Sequence, residues 1–280
     1  MTTESLSLFV DGKLNHEVES FQFPDGQWHL KNTSVLDGAD VVVIVRGTSV
    51  SDLLGAALVA DCGVDKFTLL LPYLPGARMD RGRPFGAEVY ADFVNAVQAD
   101  QVVCVDPHSE VMPGMIRNLT ALPPTDLAVR AVGETEVEYN AVIAPDKGAV
   151  PRAQAVAHAL GVPLIEATKV RDFDTGRIQS VDIPATFPYR RALVVDDICD
   201  GGGTFMQLAQ AWEKRWDGWT DMKLGLWVTH GVFSGSADKL REHYTHIMTT
   251  DSLQSAFRVG VATTIVPVFP YMTSQIQEIL

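Results

Sequence analysis

Residues 193–204 read LVVDDICDGGGT: an apolar run ends in two adjacent carboxylates, Asp196 and Asp197, followed by Asp200, Gly201, Gly202, Gly203 and Thr204. Glycines let a chain turn with positive φ and bring bare N–H groups up to an anion. A helix opening near Thr204 adds the positive end of its dipole and further unshared N–H donors. The carboxylates suit sugar hydroxyls or a hydrated Mg²⁺, a cation that takes oxygen ligands. The plainer reading is an ordinary strand-to-helix turn in which an aspartate caps the helix. That accounts for one aspartate and leaves two at this spacing unexplained.

Other apolar runs end in the same way. Arg46-Gly47-Thr48-Ser49 follows one. Pro72-Tyr73, leading to Arg78-Met79-Asp80-Arg81, follows a second, and Asp106-Pro107-His108 a third. Pro145-Asp146-Lys147-Gly148 and Thr229-His230-Gly231 follow two more. The runs at 41–45, 67–71, 101–105, 141–144, 192–195, 224–229 and 263–268 read as strands, and 53–59, 87–97, 152–160 and 204–216 as helices. Short unbroken apolar strands alternating with helices predict parallel sheets covered on both faces, with ligands at the carboxyl edge. The expectation is an α/β protein of two doubly wound parallel-sheet domains in tandem, residues 1–134 and 135–280. The division falls at the polar stretch 133–138, and the last residues are candidates for a return to the first domain.

With 46% hydrophobic and 20% charged residues among 280, the chain is expected to fold into large cores. A net charge of −13 argues against a nucleic-acid surface, which needs a basic face. No run is apolar enough for a membrane span and the start lacks a signal-peptide pattern, so the expected location is cytoplasmic. Cys62, Cys104 and Cys199 share no metal-ligand spacing and read as reduced packing thiols. Trp212, Trp216 and Trp219 read as packing residues rather than a base-stacking platform.

The stretch 193–204 resembles the phosphoribosyl-diphosphate signature of type I phosphoribosyltransferases and ribose-phosphate pyrophosphokinases. Over roughly residues 23–270 the chain is similar to the pyrophosphokinase family in order, which implies two phosphoribosyltransferase-type domains. LLPYLPGARMDR resembles a family segment and implies ATP contacts at Arg78 and Asp80. Asp106-Pro107-His108 is similar to Asp-Leu-His, implying that His108 meets ATP-bound Mg²⁺. Asp146 in Ala-Pro-Asp resembles the aspartate of Ser-Pro-Asp and is implied near metal and ribose. Phe23-Pro24-Asp25-Gly26-Gln27 resembles Phe-Ser-Asp-Gly-Glu, implying that Phe23, Asp25 and Gln27 reach ATP across a subunit interface. Lys169-Val170-Arg171 resembles Lys-Arg-Arg, whose first and third cations clamp the triphosphate, so Lys169 and Arg171 are the implied catalytic pair. Thr229-His230-Gly231 resembles a family segment of the last sheet.

Each match has a plainer reading. His108 alone could be a satisfied core histidine, and Lys169 with Arg171 a solvated pair; His230 reads better as structural. The chain also departs from the family. The segment before Phe23 is short, Gln27 replaces a glutamate, Met79 a glutamine, and Gly201 a threonine. The resemblance implies Mg-dependent transfer of pyrophosphate from ATP to the C1 hydroxyl of ribose 5-phosphate, with AMP released, by a homo-oligomer. One alternative is the same chemistry on a larger acceptor such as ADP-ribose. A phosphoribosyltransferase is disfavoured by the ATP-side segments. A non-catalytic synthetase-associated regulatory subunit is disfavoured by intact Lys169, Arg171 and His108.

Overall fold

A computed structural model describes residues 6–171, 178–184, 189–216 and 221–279. The chain divides into two compact units, Met1–Leu122 with Phe269–Leu280, and Pro123–Val268.

The first unit opens with β1 (Leu6–Val10) and β2 (Lys13–Leu14), then a hairpin of β3 (Glu19–Gln22) and β4 (Trp28–Lys31). The alternating part follows: β5 (Asp40–Val45), α1 (Val50–Ala60), β6 (Lys66–Leu71), α2 (Gly86–Ala96), β7 (Gln101–Val105) and β8 (Leu119–Leu122). The sheet order is β2-β1-β5-β6-β7-β8. Strands β5 to β8 run parallel, as their continuous Val/Leu/Ile runs predict. The N-terminal segment, short as it is, supplies a strand: β1 pairs antiparallel with β5, so this sheet is parallel with an antiparallel edge. Leu53, Ala56 and Val59 of α1 and Ala87, Ala91 and Val94 of α2 bury against Val43, Leu69 and Leu71.

Helix α1 starts where the sequence supplies a capping box. Ser49 Oγ accepts the Asp52 N–H at 3.2 Å, and Asp52 Oδ2 accepts the Ser49 N–H at 3.1 Å. Such a cap stabilises a helix by about 0.5–2 kcal/mol. The β3–β4 hairpin is anchored on this helix: Trp28 Nε1 donates to Ser51 Oγ at 3.1 Å, and the indole lies so close to Gly55 that a Cβ there would be 3.1 Å from the ring.

The second unit begins with α3 (Thr125–Gly133), β9 (Ala141–Ala144), α4 (Val150–Leu160) and β10 (Leu164–Glu166). A separate two-stranded sheet of β11 (Thr168–Arg171) and β12 (Ile178–Asp182) follows. Then come β13 (Arg191–Cys199), α5 (Gly203–Arg215), β14 (Lys223–Gly231), β15 (His246–Thr250) and β16 (Thr264–Val266). The main sheet, in the order β10-β9-β13-β14-β15-β16, is parallel throughout. Its core gathers Val194, Leu226 and Val228 with Phe205, Leu208 and Trp212 of α5. The chain ends in α6 (Phe269–Ile279), which belongs to the first unit; the Phe9 and Phe269 rings are 4.6 Å apart.

The expected division at 134/135 moves to 122/123. Helix α3 packs on α4, β15 and β16 and so belongs to the second unit. The break is at Pro123-Pro124, which cannot continue β8 and precede the helix instead.

Trp212 and Trp216 are buried, with ring centroids 6.1 Å apart in an edge arrangement, which is a packing role; Trp219 lies outside the described residues. Burial pushes the Cys104 and Cys199 thiols up to about 12, far from reactive thiolates. Among the described residues no helix is long and apolar enough to cross a membrane.

Candidate phosphate- and ribose-binding site

Strand β13 ends at Cys199 and the chain turns through Asp200, Gly201 and Gly202 before α5 opens at Gly203. Gly202 has φ 80°, and a Cβ on it would lie 3.0 Å from Leu240 Cδ1, so the fold itself demands glycine there. Gly201 and Gly203 are different. A Cβ on Gly201 would meet only Ser234 Oγ, at 3.8 Å, and one on Gly203 would meet nothing within 4 Å. Neither packing nor backbone conformation requires glycine at these two positions. Their effect is to leave the main chain bare at an exposed surface.

Helix α5 has no side-chain cap, so the N–H groups of its first turn are left to face outward at the positive end of the helix dipole. Asp200 holds the loop to the segment after β14: Ser234 Oγ donates to its Oδ1 at 2.5 Å, and the Ser234 N–H donates to its carbonyl at 3.2 Å. Thr204 lies in the first turn of α5.

Beneath the loop, Asp196 and Asp197 occupy the last turns of pleat in β13, beside the end of β9 that leads to Asp146. Asp146 Oδ1 accepts the N–H groups of Gly148 at 3.0 Å and Ala149 at 3.2 Å, closing the turn into α4. Arg152, in the first turn of α4, completes the cluster. Its Nη1 is 3.4 Å from Asp196 Oδ1 and 3.3 Å from the Gly148 carbonyl, and its Nη2 is 3.8 Å from Asp197 Oδ2. Burial raises the Asp196 carboxyl well above the ordinary range, and the adjacent Asp197 charge adds to this; Arg152 opposes both. In the sequence alone Arg152 reads as the start of a helix, with no role of its own. The available signal was a cation six residues after Asp146, at the start of the helix that follows.

His230, level with Ile198 of β13, is buried with Nδ1 2.8 Å from Ser252 Oγ. Ser252, Thr250 and Thr249 cluster on the Thr229 carbonyl, so this histidine sits in a buried structural network. Lys169 and Arg171 fall on β11, opposite Val181 and Ile178 of β12; their side chains lie outside the described residues.

In the first unit the carboxyl edge carries a second group. Asp106 (φ 45°) and His108 (φ 66°) both adopt left-handed backbone after β7, a conformation that costs energy in a non-glycine residue and concentrates at working sites. Asp80 comes alongside. Its burial would raise the carboxyl, but hydrogen bonds from Ser109 and Arg81 and the charges of Arg81 and His108 outweigh that and hold it below the usual range. Arg78 is exposed, while Met79 lies against Gly86, where a Cβ would be 2.7 Å from its sulfur. Phe23, Asp25 and Gln27 form the exposed tip of the β3–β4 hairpin. The Phe23 N–H donates to the Gln27 carbonyl at 2.8 Å and the Gln27 N–H to Asp25 Oδ1 at 3.2 Å.

Among the described residues, no three His, Cys, Asp or Glu side chains form a metal cage. The donors suit Mg²⁺ nonetheless. Asp146 and the Asp196–Asp197 pair offer only oxygen at neighbouring strand ends, and Mg²⁺ commonly takes one or two carboxylates and fills its shell with water and substrate phosphate.

The fold is of the phosphoribosyltransferase type, and residues 123–215 match the model of the phosphoribosyl transferase domain. The chain is 26% identical to a ribose-phosphate pyrophosphokinase of Cereibacter sphaeroides over 86% of its own length and 76% of that protein. It is 27% identical to the one of Pyrococcus furiosus, over 84% and 86% respectively. The fold matches a phosphoribosylpyrophosphate synthetase from Mycobacterium smegmatis with a TM-score of 0.77 at 22% identity, covering 94% of this chain and 89% of that one. The chain is thus similar to ribose-phosphate pyrophosphokinases over most of its length.

The raised Asp196 carboxyl gives a stability prediction. Its folded pKa lies above the unfolded value of about 3.9, so the associated stability is complete below that pH and is lost as pH rises through the folded pKa. Asp196→Asn removes the charge. In thermal melts it should therefore unfold at a higher temperature than wild type at about pH 8, with the gap closing toward about pH 4. A variant that melts lower than wild type at the higher pH would show that Asp196 stabilises the fold as a charge.

Proposed function

We propose that this protein transfers the pyrophosphoryl group of ATP to the C1 hydroxyl of ribose 5-phosphate, giving phosphoribosyl pyrophosphate and AMP. The observation that carries the reading is the bare loop of residues 200–204 above Asp196 and Asp197, in a chain related over most of its length to ribose-phosphate pyrophosphokinases. The N–H groups of Gly202, Gly203 and Thr204 hold the 5-phosphate at the start of α5. Asp196 and Asp197 accept hydrogen bonds from the ribose hydroxyls and so orient the C1 oxygen.

Such a transfer needs in-line positioning and neutralised phosphate charge rather than covalent catalysis. Lys169 and Arg171 neutralise charge on the phosphate chain and on the departing AMP oxygen. His108 on the first unit and Asp146 on the second are each proposed as a protein ligand of Mg²⁺, which would polarise the phosphate oxygens. Arg78 and Asp80 contact ATP on the first unit.

Phe23, Asp25 and Gln27 serve the ATP of a neighbouring subunit. In support, the hairpin is pinned through Trp28 to α1 while its tip, with Phe23 45% exposed, is directed away from its own core. The protein is accordingly a homo-oligomer, and light scattering of active enzyme should read at least a dimer; an active monomer would contradict this.

Lys169→Ala should lower kcat by roughly 10³-fold or more with an unchanged melting temperature, as for other phosphoryl-transfer cations. A loss of less than about tenfold would remove the clamp and favour a non-catalytic regulatory subunit.

One observation favours a second acceptor. The space beside Gly201 is open out to Ser234 Oγ, so an acceptor with more than a monophosphate at C5, such as ADP-ribose, has room at this point. Ribose 5-phosphate remains the first choice because it needs no contacts beyond the loop. With ATP and Mg²⁺, kcat/KM for ribose 5-phosphate should exceed that for ADP-ribose in both wild type and Gly201→Thr. A preference for ADP-ribose of more than about tenfold in wild type, narrowed by Gly201→Thr, would reverse the assignment and locate its cause in the loop.

A further inference from the structure

Three features of the second unit converge on one side chain that no motif singled out. The turn after β9 is closed by Asp146 through the Gly148 and Ala149 N–H groups. The carbonyl of the same Gly148 accepts Arg152 Nη1 at 3.3 Å. The two nitrogens of the guanidinium then reach Asp196 at 3.4 Å and Asp197 at 3.8 Å. The side chain of Arg152 is only 12% exposed, and those of Asp196 and Asp197 only 15% and 5%, so the group is screened from bulk water.

We infer that Arg152 is a positioning residue for the sugar acceptor, holding both carboxylates of the pair in the orientation that receives the ribose hydroxyls and tying them to the turn that carries Asp146. The inference rests on the ribose reading of Asp196 and Asp197. Its physical basis is geometric. Two adjacent carboxylates with little water repel each other, and one rigid cation facing both fixes their orientation. A planar guanidinium can do this with separate nitrogens while spending another contact on a backbone carbonyl. A lysine places a single point charge at the same site and cannot fix two carboxylates and a carbonyl at once. Arg152 touches no reacting atom in this account; it acts through Asp196 and Asp197.

The test is steady-state kinetics of the full chain with ATP, Mg²⁺ and ribose 5-phosphate. Arg152→Lys should raise the KM for ribose 5-phosphate by about three- to tenfold, and Arg152→Gln by more than about tenfold. The KM for ATP should stay within about twofold of wild type in both variants, and kcat within about threefold. Arg152→Lys keeps a cation at the site, so it carries the test if Arg152→Gln fails to fold, and its melting temperature should stay close to wild type. The inference is overturned if the acceptor KM of Arg152→Lys is unmoved, or if the KM for ATP rises by the same factor, which would mean a general structural role. Asp197→Asn separates the two levels. An unchanged acceptor KM there removes the ribose reading on which the inference rests. A raised KM there with an unmoved one in Arg152→Lys removes only the role of Arg152.

Discussion

Asp196 and Asp197 leave the end of β13 side by side in a place where most of their hydration is gone. An apolar strand buried on both faces brings them there, and that burial is what makes the second sheet stable. The same burial makes the carboxylates costly, because charges taken from water must be compensated by fixed partners. Arg152 supplies that compensation, and it can reach both groups because β9 and β13 are neighbours and α4 starts just beyond β9. Strand order, the turn at Asp146 and the first turn of α4 are thus bound to one electrostatic requirement.

That requirement bears on the loop above. Three aspartates within five residues form a poor setting for a phosphate, and the chain as a whole carries −13. In the proposed phosphate site the attraction for an anion would be local: the N–H groups of Gly202, Gly203 and Thr204 at the uncapped start of α5. The acids and the phosphate site become compatible when a divalent cation accompanies the ligand, since it turns the carboxylates from repellers into ligands. Under the proposed function, the acidic cluster and the glycine loop are compatible for a substrate that brings Mg²⁺ and presents hydroxyls as well as phosphate.

Much of this was legible in the sequence. Parallel strands buried on both faces read as unbroken apolar runs, so β5, β6, β7, β9, β13 and β14 could be found from Val, Ile and Leu alone. Strands β1 to β4 could not, because they are only two to five residues long and, β1 apart, largely exposed. The polar stretch at 133–138 suggests a boundary between units, whereas Pro123-Pro124 marks it, and the helix after those prolines packs by its apolar face into the second unit. The glycine loop was legible as a loop. That only Gly202 is obligatory is a fact about Leu240, a residue far away in sequence. Arg152 was hidden for the same reason: a cation on a helix surface looks ordinary until the opposing strand end is known.

Gly201 shows how a small departure is to be weighed. The threonine of related loops carries a hydroxyl and two further heavy atoms. Removing them costs a hydrogen bond only if nothing replaces it, and at an exposed loop water can replace a lost hydroxyl at little expense. Affinity for a monophosphate then changes modestly. The vacated space is a different matter, because water there can be displaced by a larger ligand without deforming the protein. At Gly201 the nearest atom to an added Cβ is 3.8 Å away and belongs to Ser234, whose hydroxyl is already committed to Asp200. If the loop holds the acceptor's phosphate as proposed, glycine here relaxes the upper size limit of the acceptor more than it weakens the hold on a small one. A loop that keeps its backbone donors and loses one side chain broadens what it can hold before it loses what it held.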